Sequence, residues 1–288
     1  MKSIARTARV GARGLALASL TSATAAGLAV RRRLHGDCPR TALAVGQRWA
    51  RRSARALGLE ITVDGTPPAP GPLLLLANHR SYVDIVALLA QVPCRFLAKA
   101  EIGGWPVFGT AARLQGTVFV QRECPASRKA ARQGARAALR AGLPFAAFPE
   151  GTTFRGPGTL PFFRGLFEVA AEEDAPVVPV ALELGDPADA WVDDDTFARH
   201  FAERFREPRL RVHLHFGPAL RGRCADGLRE GAQSWIEESL RAALPKLRGA
   251  GAAADDSARP AALGSGRDAG ARGAGRLSGP RPAHAGAA

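Results

Sequence analysis

Three side chains with complementary chemistry follow short apolar runs in this sequence. They are the imidazole of His79, the guanidinium of Arg122 and the carboxylate of Glu150. A further carboxylate, Asp84, comes five residues after His79 and can fold back onto its ring. A carboxylate that fixes the tautomer of a histidine makes it a competent general base. Together these groups predict a cleft that activates a hydroxyl group lying beside an anion.

The histidine and its partner need a strand and a helix to bring them together. Four consecutive leucines at residues 73–76 follow a Gly-Pro pair and predict a short buried strand. Ser81 precedes the apolar run 85–89 and is predicted to cap the N-terminus of a helix. His79 then lies at the carboxyl end of the strand, where open α/β sheets bind ligands. Taken alone, the spacing also suits a histidine in a polar turn and an aspartate favoured by the helix dipole.

Strand and helix patterns alternate along the chain, which predicts an α/β fold. We expect strands at residues 60–64, 73–76, 95–98, 116–122, 145–148, 177–184 and 209–216. Besides the helix after Ser81, we expect helices at residues 104–115, 126–141, 165–173, 193–206 and 226–247. The predicted fold is a sheet flanked by helices with the active site at the strand carboxyl ends, preceded by N-terminal membrane-associated helices.

Charge and composition divide the chain into three parts. Residues 1–58 form a basic and apolar segment that we expect to associate with a membrane, and residues 59–248 form the globular domain. Residues 249–288 are an Ala/Gly/Pro/Arg tail that is too poor in large apolar residues to fold. The net charge of +14 comes mainly from residues 1–60, which carry 12 Lys or Arg and 2 Asp or Glu. This pattern suits an anionic membrane surface better than nucleic acid.

The first part contains two candidate helices. Residues 14–30 carry no charge but are marginal for crossing a bilayer, which takes about 20 apolar residues. A signal peptide cleaved after the sequence ATA at 23–25 and a disordered leader are the alternatives. Residues 41–57 predict an amphipathic helix that either lies in the membrane interface or packs on the domain. Its basic face comprises Arg48, Arg51, Arg52 and Arg55, and its apolar face Leu43, Ala50, Ala54 and Leu57.

Other chemistries have little support in the sequence. Aromatic residues make up 6% of the chain and no nucleic-acid-binding motif occurs, so we expect no nucleic-acid partner. The four cysteines are far apart, which predicts neither a zinc site nor a disulfide framework. We expect neither a metal nor a cofactor.

Five ordered blocks resemble those of the glycerolipid acyltransferases, the 1-acylglycerol-3-phosphate acyltransferase family. Residues 78–84 read NHRSYVD and resemble the family block N-H-x-S-x-x-D. Residues 116–122 read GTVFVQR and resemble the block G-x-x-F-I/V-x-R. Residues 148–152 read FPEGT, which is identical to the third block.

Two weaker similarities accompany these blocks. Residues 178–180 read VPV and resemble the fourth, apolar block, and residues 99–109 resemble the K-x-E…P…G segment between the first two blocks. Each block alone is unspecific, but five in the family's order are specific together.

The resemblance implies roles for the residues named first. His79 would deprotonate the hydroxyl that attacks an acyl thioester, and Asp84 would orient and stabilise its imidazole. The nucleophile then belongs to the substrate, so transfer is direct and takes place in a ternary complex. Arg122 would hold the acceptor's phosphate by charge-assisted bonds, unless it is a surface arginine at a strand end.

The resemblance also implies further substrate-binding residues. Lys99 is a second phosphate ligand or forms a surface salt bridge with Glu101. Glu150 would hydrogen-bond an acceptor hydroxyl or a neighbouring site residue, or serve as a turn carboxylate. Gly151 would allow close approach to the backbone, and Thr152 completes the same block.

The implied function is transfer of an acyl group from acyl-CoA or acyl-carrier protein to a lysolipid. Because the second block ends in Arg122, 1-acylglycerol-3-phosphate is the favoured acceptor, and a lyso-ornithine lipid is the nearest alternative. A lipid hydrolase and a non-catalytic lipid-binding protein are more distant alternatives. Since acyl thioesters are cytosolic, we expect a membrane-associated enzyme with its active site on the cytoplasmic side.

Overall fold

The computed structural model describes residues 2–192 and 195–256. The helices are α1 (Lys2–His35), α2 (Pro39–Leu57), α3 (Val83–Gln91), α4 (Phe108–Gln115), α5 (Pro125–Arg140), α6 (Gly165–Glu172), α7 (Phe197–Arg204) and α8 (Ala225–Asp256). The strands are β1 (Leu59–Asp64), β2 (Leu74–Ala77), β3 (Arg95–Lys99), β4 (Val118–Val120), β5 (Phe145–Ala147), β6 (Val177–Leu184) and β7 (Leu210–Phe216). Short 3-10 segments lie at Ala100–Gly104 and Pro187–Asp189.

Strand β2 lies at the centre of a seven-stranded sheet of order β1-β7-β6-β2-β5-β3-β4. Neighbouring strands are parallel except β6 and β7, which are antiparallel. All four residues of β2 are buried, as expected of a parallel strand covered by helices on both faces. The predicted α/β fold class is confirmed.

The side chains of β2 alternate between two hydrophobic cores. Leu75 and Ala77 belong to the core shared with α1, α2, α3 and α7. Leu74 and Leu76 belong to the core shared with α5, α6 and α8. The strand is thereby held from both sides, which fixes the start of the turn that follows it.

Helix α2 packs on the domain through the apolar face that the sequence predicts. Its four apolar residues are buried, and its four arginines on the opposite face are exposed. Of the two predicted placements, the packed surface helix is the one observed, because the apolar side contacts α3 rather than facing outward.

Helix α1 is continuous through the predicted apolar stretch and both of its basic flanks. Trp49 Nε1 of α2 donates a hydrogen bond to Thr21 Oγ1 at 3.0 Å, and the Arg13 guanidinium donates to the Phe205 carbonyl at 3.0 Å. Leu17 of α1 and Ala50 of α2 belong to the first core together with the sheet. The predicted boundary at residue 58 is therefore not a boundary in the packing.

The outer side of α1 carries apolar residues that no other element of the described chain covers. Ile4, Leu15, Val30 and Leu34 are each more than half exposed. Residues 4–35 are long and apolar enough to cross a membrane, with a mean hydropathy of 1.2 over their best 18 residues, of which 11% are buried. A signal sequence, or the core helix of a soluble protein, can meet the same criterion as a membrane helix.

Helix α8 ends at Asp256, beyond the predicted boundary at residue 248. The added residues are rich in alanine, which has the highest helix propensity. The rest of the predicted tail, residues 257–288, lies outside the described residues.

Candidate active site

His79 and Asp84 are brought together by the turn between β2 and α3. His79 Nδ1 lies 2.7 Å from Asp84 Oδ2, and the Asp84 side chain is fully buried. The same oxygen accepts hydrogen bonds from the backbone amides of Arg80 at 2.6 Å and Ser81 at 2.8 Å. Asp84 therefore caps the turn, and the prediction that Ser81 is the N-cap is wrong because α3 begins later, at Val83.

His79 is held through both its ring and its backbone. It stacks on the ring of Phe148, with 3.9 Å between centroids and 7° between planes. Its backbone carbonyl accepts a hydrogen bond from the Phe154 amide at 2.9 Å. Since Asp84 occupies Nδ1, Nε2 is the ring nitrogen left without a hydrogen bond among the residues described. His79 also lines a cavity, from which a substrate can reach this nitrogen.

Glu150 lies behind the histidine rather than in the cavity wall. Its Oε2 accepts from the His79 amide at 2.5 Å and its Oε1 from the Leu160 amide at 2.9 Å. The residue is 4% exposed, and burial raises the pKa of its carboxyl to about 7. Of the predicted contacts, the one observed is to a neighbouring site residue, and both oxygens are already engaged. We therefore assign Glu150 to positioning of the His79 loop.

A second buried support is Arg80, whose importance the sequence did not indicate. Its guanidinium donates to the carbonyls of Phe154 at 3.1 Å and Gly158 at 3.0 Å, and it lies 3.4 Å from Glu183 Oε2. The loop after Glu150 is thereby folded over the turn that carries His79. A charged side chain on a turn usually predicts exposure, so its position inside the N-H-x-S-x-x-D block was the available signal.

The cavity beside His79 has a volume of about 790 Å³. Because β2, β5, β3 and β4 are consecutive parallel strands, their carboxyl ends meet at one edge of the sheet. Most of the predicted site residues lie at this edge. The predicted residues that line the cavity are His79, Lys99, Arg122, Gly151 and Thr152.

The predicted cations differ in their surroundings. Arg122 is half-buried, and burial lowers the pKa of its guanidinium from the ordinary value. Lys99 is exposed and pairs with Glu101 at 3.1 Å, the alternative that the sequence left open.

Gly151 has φ of +76°, and a Cβ there would lie 2.6 Å from the Phe163 ring. A larger residue at this turn is therefore disfavoured by both conformation and space.

The other end of the cavity is apolar. Its walls include Leu17 and Leu28 of α1, Val45 of α2 and Leu89 of α3, so the N-terminal helices form part of the site. The apolar block at residues 178–180 is buried in β6 and does not line the cavity. Among the described residues, no group of three or more His, Cys, Asp or Glu could hold a metal ion.

These features are typical of an enzyme that uses a histidine as a general base. A histidine oriented by a buried carboxylate faces a cavity with cations at one end and apolar walls at the other. Such a site suits base catalysis on a hydroxyl of an amphipathic, anionic substrate.

Comparisons with known proteins place the chain in one family. Residues 60–183 match the acyltransferase family model. The lyso-ornithine lipid O-acyltransferase of Pseudomonas aeruginosa is 34% identical over 209 residues, which cover 70% of this chain and 80% of that protein. The 1-acyl-sn-glycerol-3-phosphate acyltransferase of Neisseria gonorrhoeae is 36% identical over 159 residues, which cover 54% of this chain and 61% of that protein.

A solved structure has the same fold. The crystal structure of PlsC, the 1-acyl-sn-glycerophosphate (LPA) acyltransferase from Thermotoga maritima, superimposes with a TM-score of 0.64. The match covers 86% of this chain and 98% of PlsC at 21% identity. The chain belongs to the glycerolipid acyltransferase family and is an acyltransferase, which confirms the resemblance drawn from its five blocks.

Proposed function

We propose that this enzyme transfers an acyl group from acyl-CoA or acyl-carrier protein to the free hydroxyl of a lysolipid, with His79 as general base. The observation that carries the proposal is the 2.7 Å contact between His79 Nδ1 and Asp84 Oδ2 at the cavity wall. The proposed reaction uses no cofactor or metal, since the donor brings its own activated thioester.

In the proposed mechanism, the acceptor hydroxyl attacks the thioester carbonyl while His79 Nε2 removes its proton. Asp84 stabilises the imidazolium that forms, and the stacked Phe148 keeps the ring in plane. The tetrahedral intermediate then breaks its C–S bond, and the imidazolium returns the proton to the leaving thiolate. A base positioned in this way contributes about 10²- to 10⁴-fold to the rate.

The favoured acceptor is 1-acylglycerol-3-phosphate, with phosphatidic acid as the product. Arg122 lines the cavity close to the loop that holds His79, where a guanidinium suits a phosphate next to the reacting hydroxyl. The apolar end of the cavity supplies a surface for acyl chains. The gonococcal relative named for this reaction supports the assignment.

A lyso-ornithine lipid is the second candidate acceptor. The Pseudomonas relative named for that reaction is similar over more of this chain, 70% against 54%. The ornithine headgroup of the lipid carries an ammonium as well as a carboxylate. It therefore neutralises the cations of the cavity less fully than a phosphate does.

We also propose that the enzyme works at the cytoplasmic face of a membrane, held there by the outer side of α1 and the basic face of α2. Exposed apolar residues and a polybasic surface together provide the two signals that stable anchoring needs. The donors are cytosolic and the acceptor lies in the bilayer, so the cavity must be reachable from both.

The test is an assay of purified protein with acyl-CoA or acyl-carrier protein and a panel of lysolipids. We expect acylation of 1-acylglycerol-3-phosphate at a higher kcat/KM than that of a lyso-ornithine lipid. Preference for the ornithine lipid would reverse the order of the two candidates. Thioester hydrolysis without acylation of any lysolipid would refute the proposed reaction.

A further inference from the structure

The first half of α5 carries cations that have no role in the proposed binding of the acceptor. Arg128 and Arg132, one helical turn apart, line the same cavity as Arg122, and Lys129 is exposed beside them. The one hydrogen bond that Arg128 donates within the described part of the chain goes to a backbone carbonyl, that of Arg122, at 2.6 Å. Neither Arg128, Lys129 nor Arg132 pairs with a carboxylate among the described residues. Cations left unpaired at a cavity wall favour an anionic ligand.

The second half of the same helix is different. Arg140 forms a two-pronged contact with Glu173, at 2.7 and 2.8 Å. Arg136 contacts Glu172 and lies 3.6 Å from Glu173. The helix therefore balances its charges away from the cavity and leaves them unbalanced beside it. The division arises because Glu172 and Glu173, at the end of α6, reach only the second half of α5.

The side chains of Arg122 and Arg132 have different neighbours in the cavity wall. Arg122 Nε lies 3.8 Å from the position of a Cβ on Gly151, next to the Glu150 that holds the His79 loop. Arg132 instead packs against the start of α6, with its Cδ 3.5 Å from the position of a Cβ on Gly165. The cavity wall thus carries Arg122 beside the loop of His79 and further cations on α5, of which Arg128 contacts the backbone of Arg122.

We propose that Arg128 and Arg132 bind the phosphate of the acyl donor's phosphopantetheine arm, with Lys129 strengthening the local field. The inference rests on the proposed acyl transfer and names the binding site of its second substrate. In the proposed reaction two anionic substrates, the lysolipid acceptor and the acyl donor, bind in this cavity. Arg122 is assigned to the phosphate of the acceptor, which leaves the phosphate of the donor without a binding residue. Both CoA and acyl-carrier protein join their pantetheine arm through a phosphate ester, so one arginine pair serves either donor. Guanidinium groups suit this role because they bind phosphate oxygens in pairs.

Direct binding tests the inference without relying on turnover. Free CoA is titrated calorimetrically into the full-length protein in detergent, as wild type and as the double variants R128Q/R132Q and R136Q/R140Q. Both variants lose the same charge, so the second controls for the long-range field. We expect the Kd for CoA to rise about ten- to a hundredfold in R128Q/R132Q and to stay unchanged in R136Q/R140Q. Equal effects in both variants, or no CoA binding by wild type, would overturn the assignment.

Kinetics separates the donor from the acceptor. In R128Q/R132Q the KM should rise for acyl-CoA and for acyl-carrier protein, while the KM for the lysolipid stays unchanged. A rise confined to one donor would overturn the shared phosphate contact, and a rise confined to the lysolipid would assign the pair to the acceptor. A wild-type protein that binds CoA but acylates no lysolipid would refute the proposed function and leave this site standing. If R128Q/R132Q acylates the lysolipid with an unchanged donor KM, the proposed function stands and the donor site is refuted.

Discussion

The carboxylate of Glu150 accepts a hydrogen bond from the backbone amide of His79, with 2.5 Å between Oε2 and N. These residues follow β5 and β2, which are neighbouring parallel strands. A carboxylate from one loop therefore fixes the backbone of the loop that carries the proposed base. The arrangement costs free energy, because Glu150 is buried and its carboxyl pKa is raised to about 7.

This buried carboxyl gives the protein a pH-dependent stability. In the unfolded chain it ionises at its ordinary pKa of 4.5, and in the folded protein near 7. Between these values the folded state keeps a proton that the unfolded chain has lost, so stability falls as pH rises. The loss attributable to Glu150 is about 3 kcal/mol by pH 8.

Urea unfolding of wild type and Glu150→Gln from pH 5 to pH 8 measures this effect, because the glutamine does not titrate. We expect the unfolding free energy of wild type, minus that of the variant, to fall as the pH rises. A difference that stays constant, or that grows with pH, would show that Glu150 does not titrate in this range.

The His79–Asp84 pair is expected to control the chemical step. His79→Ala should lower kcat about 10²- to 10⁴-fold, since the base is lost. Asp84→Asn should lower kcat as well. It should also lower the melting temperature, because a neutral amide oxygen accepts from the backbone amides of Arg80 and Ser81 more weakly than a carboxylate does. Circular dichroism of His79→Ala serves as the folding control. Wild-type turnover in a folded His79→Ala protein would rule out the mechanism.

Arg122 is expected to discriminate between acceptors. Arg122→Ala should raise the KM for 1-acylglycerol-3-phosphate about ten- to a hundredfold, since a hydrogen bond to a charged group is worth about 1.5–3 kcal/mol. The donor KM should change much less, and so should the KM for a lysolipid without a phosphate. If the donor KM alone moves, Arg122 belongs to the thioester side of the site.

Much of the site could be predicted because its signals are local. The leucine run of β2 marks a strand, and the spacing from His79 to Asp84 spans a single turn. The strand carboxyl ends then meet at one edge because the sheet is parallel there. The order β2-β5-β3-β4 follows from packing of the whole sheet, so the sequence suggested that these ends are neighbours without establishing it.

What the sequence did not reveal depends on contacts between distant segments. The guanidinium of Arg80 binds carbonyls 74 and 78 residues away, and Asn78 exchanges two hydrogen bonds with the backbone of Leu182, 104 residues away. No periodicity encodes such pairs. For the same reason, the pattern of α2 predicted an apolar face but not whether the domain or a membrane covers it.

The exposed arginines of α2 are expected to bind anionic membranes. Replacing Arg48, Arg52 and Arg55 with glutamine should weaken binding to anionic vesicles by about 1 kcal/mol per residue, less at high salt. Arg51 is left in place because it donates to the Ala90 carbonyl at 2.9 Å. Vesicle sedimentation measures the effect. The control replaces three exposed arginines near or on α8, which are Arg221, Arg223 and Arg241. Its melting temperature is measured as well, because Arg221 donates to the Asp174 carbonyl at 3.3 Å and Arg241 lies 3.9 Å from Glu237. Equal losses in both variants would refute a specific membrane face.

Deleting residues 2–37 tests whether α1 is only an anchor. Leu17 and Leu28 of α1 are buried and line the apolar end of the cavity, and Thr21 binds Trp49 of α2. Removing the helix should therefore open the cavity and lower transfer to detergent-dispersed lysolipid as well as to lysolipid in vesicles. The triple arginine variant of α2 keeps this wall, so it should lose activity on vesicles and retain it in detergent. Full detergent activity in a folded deletion protein would mean that α1 contributes nothing to the acyl site and serves the membrane alone.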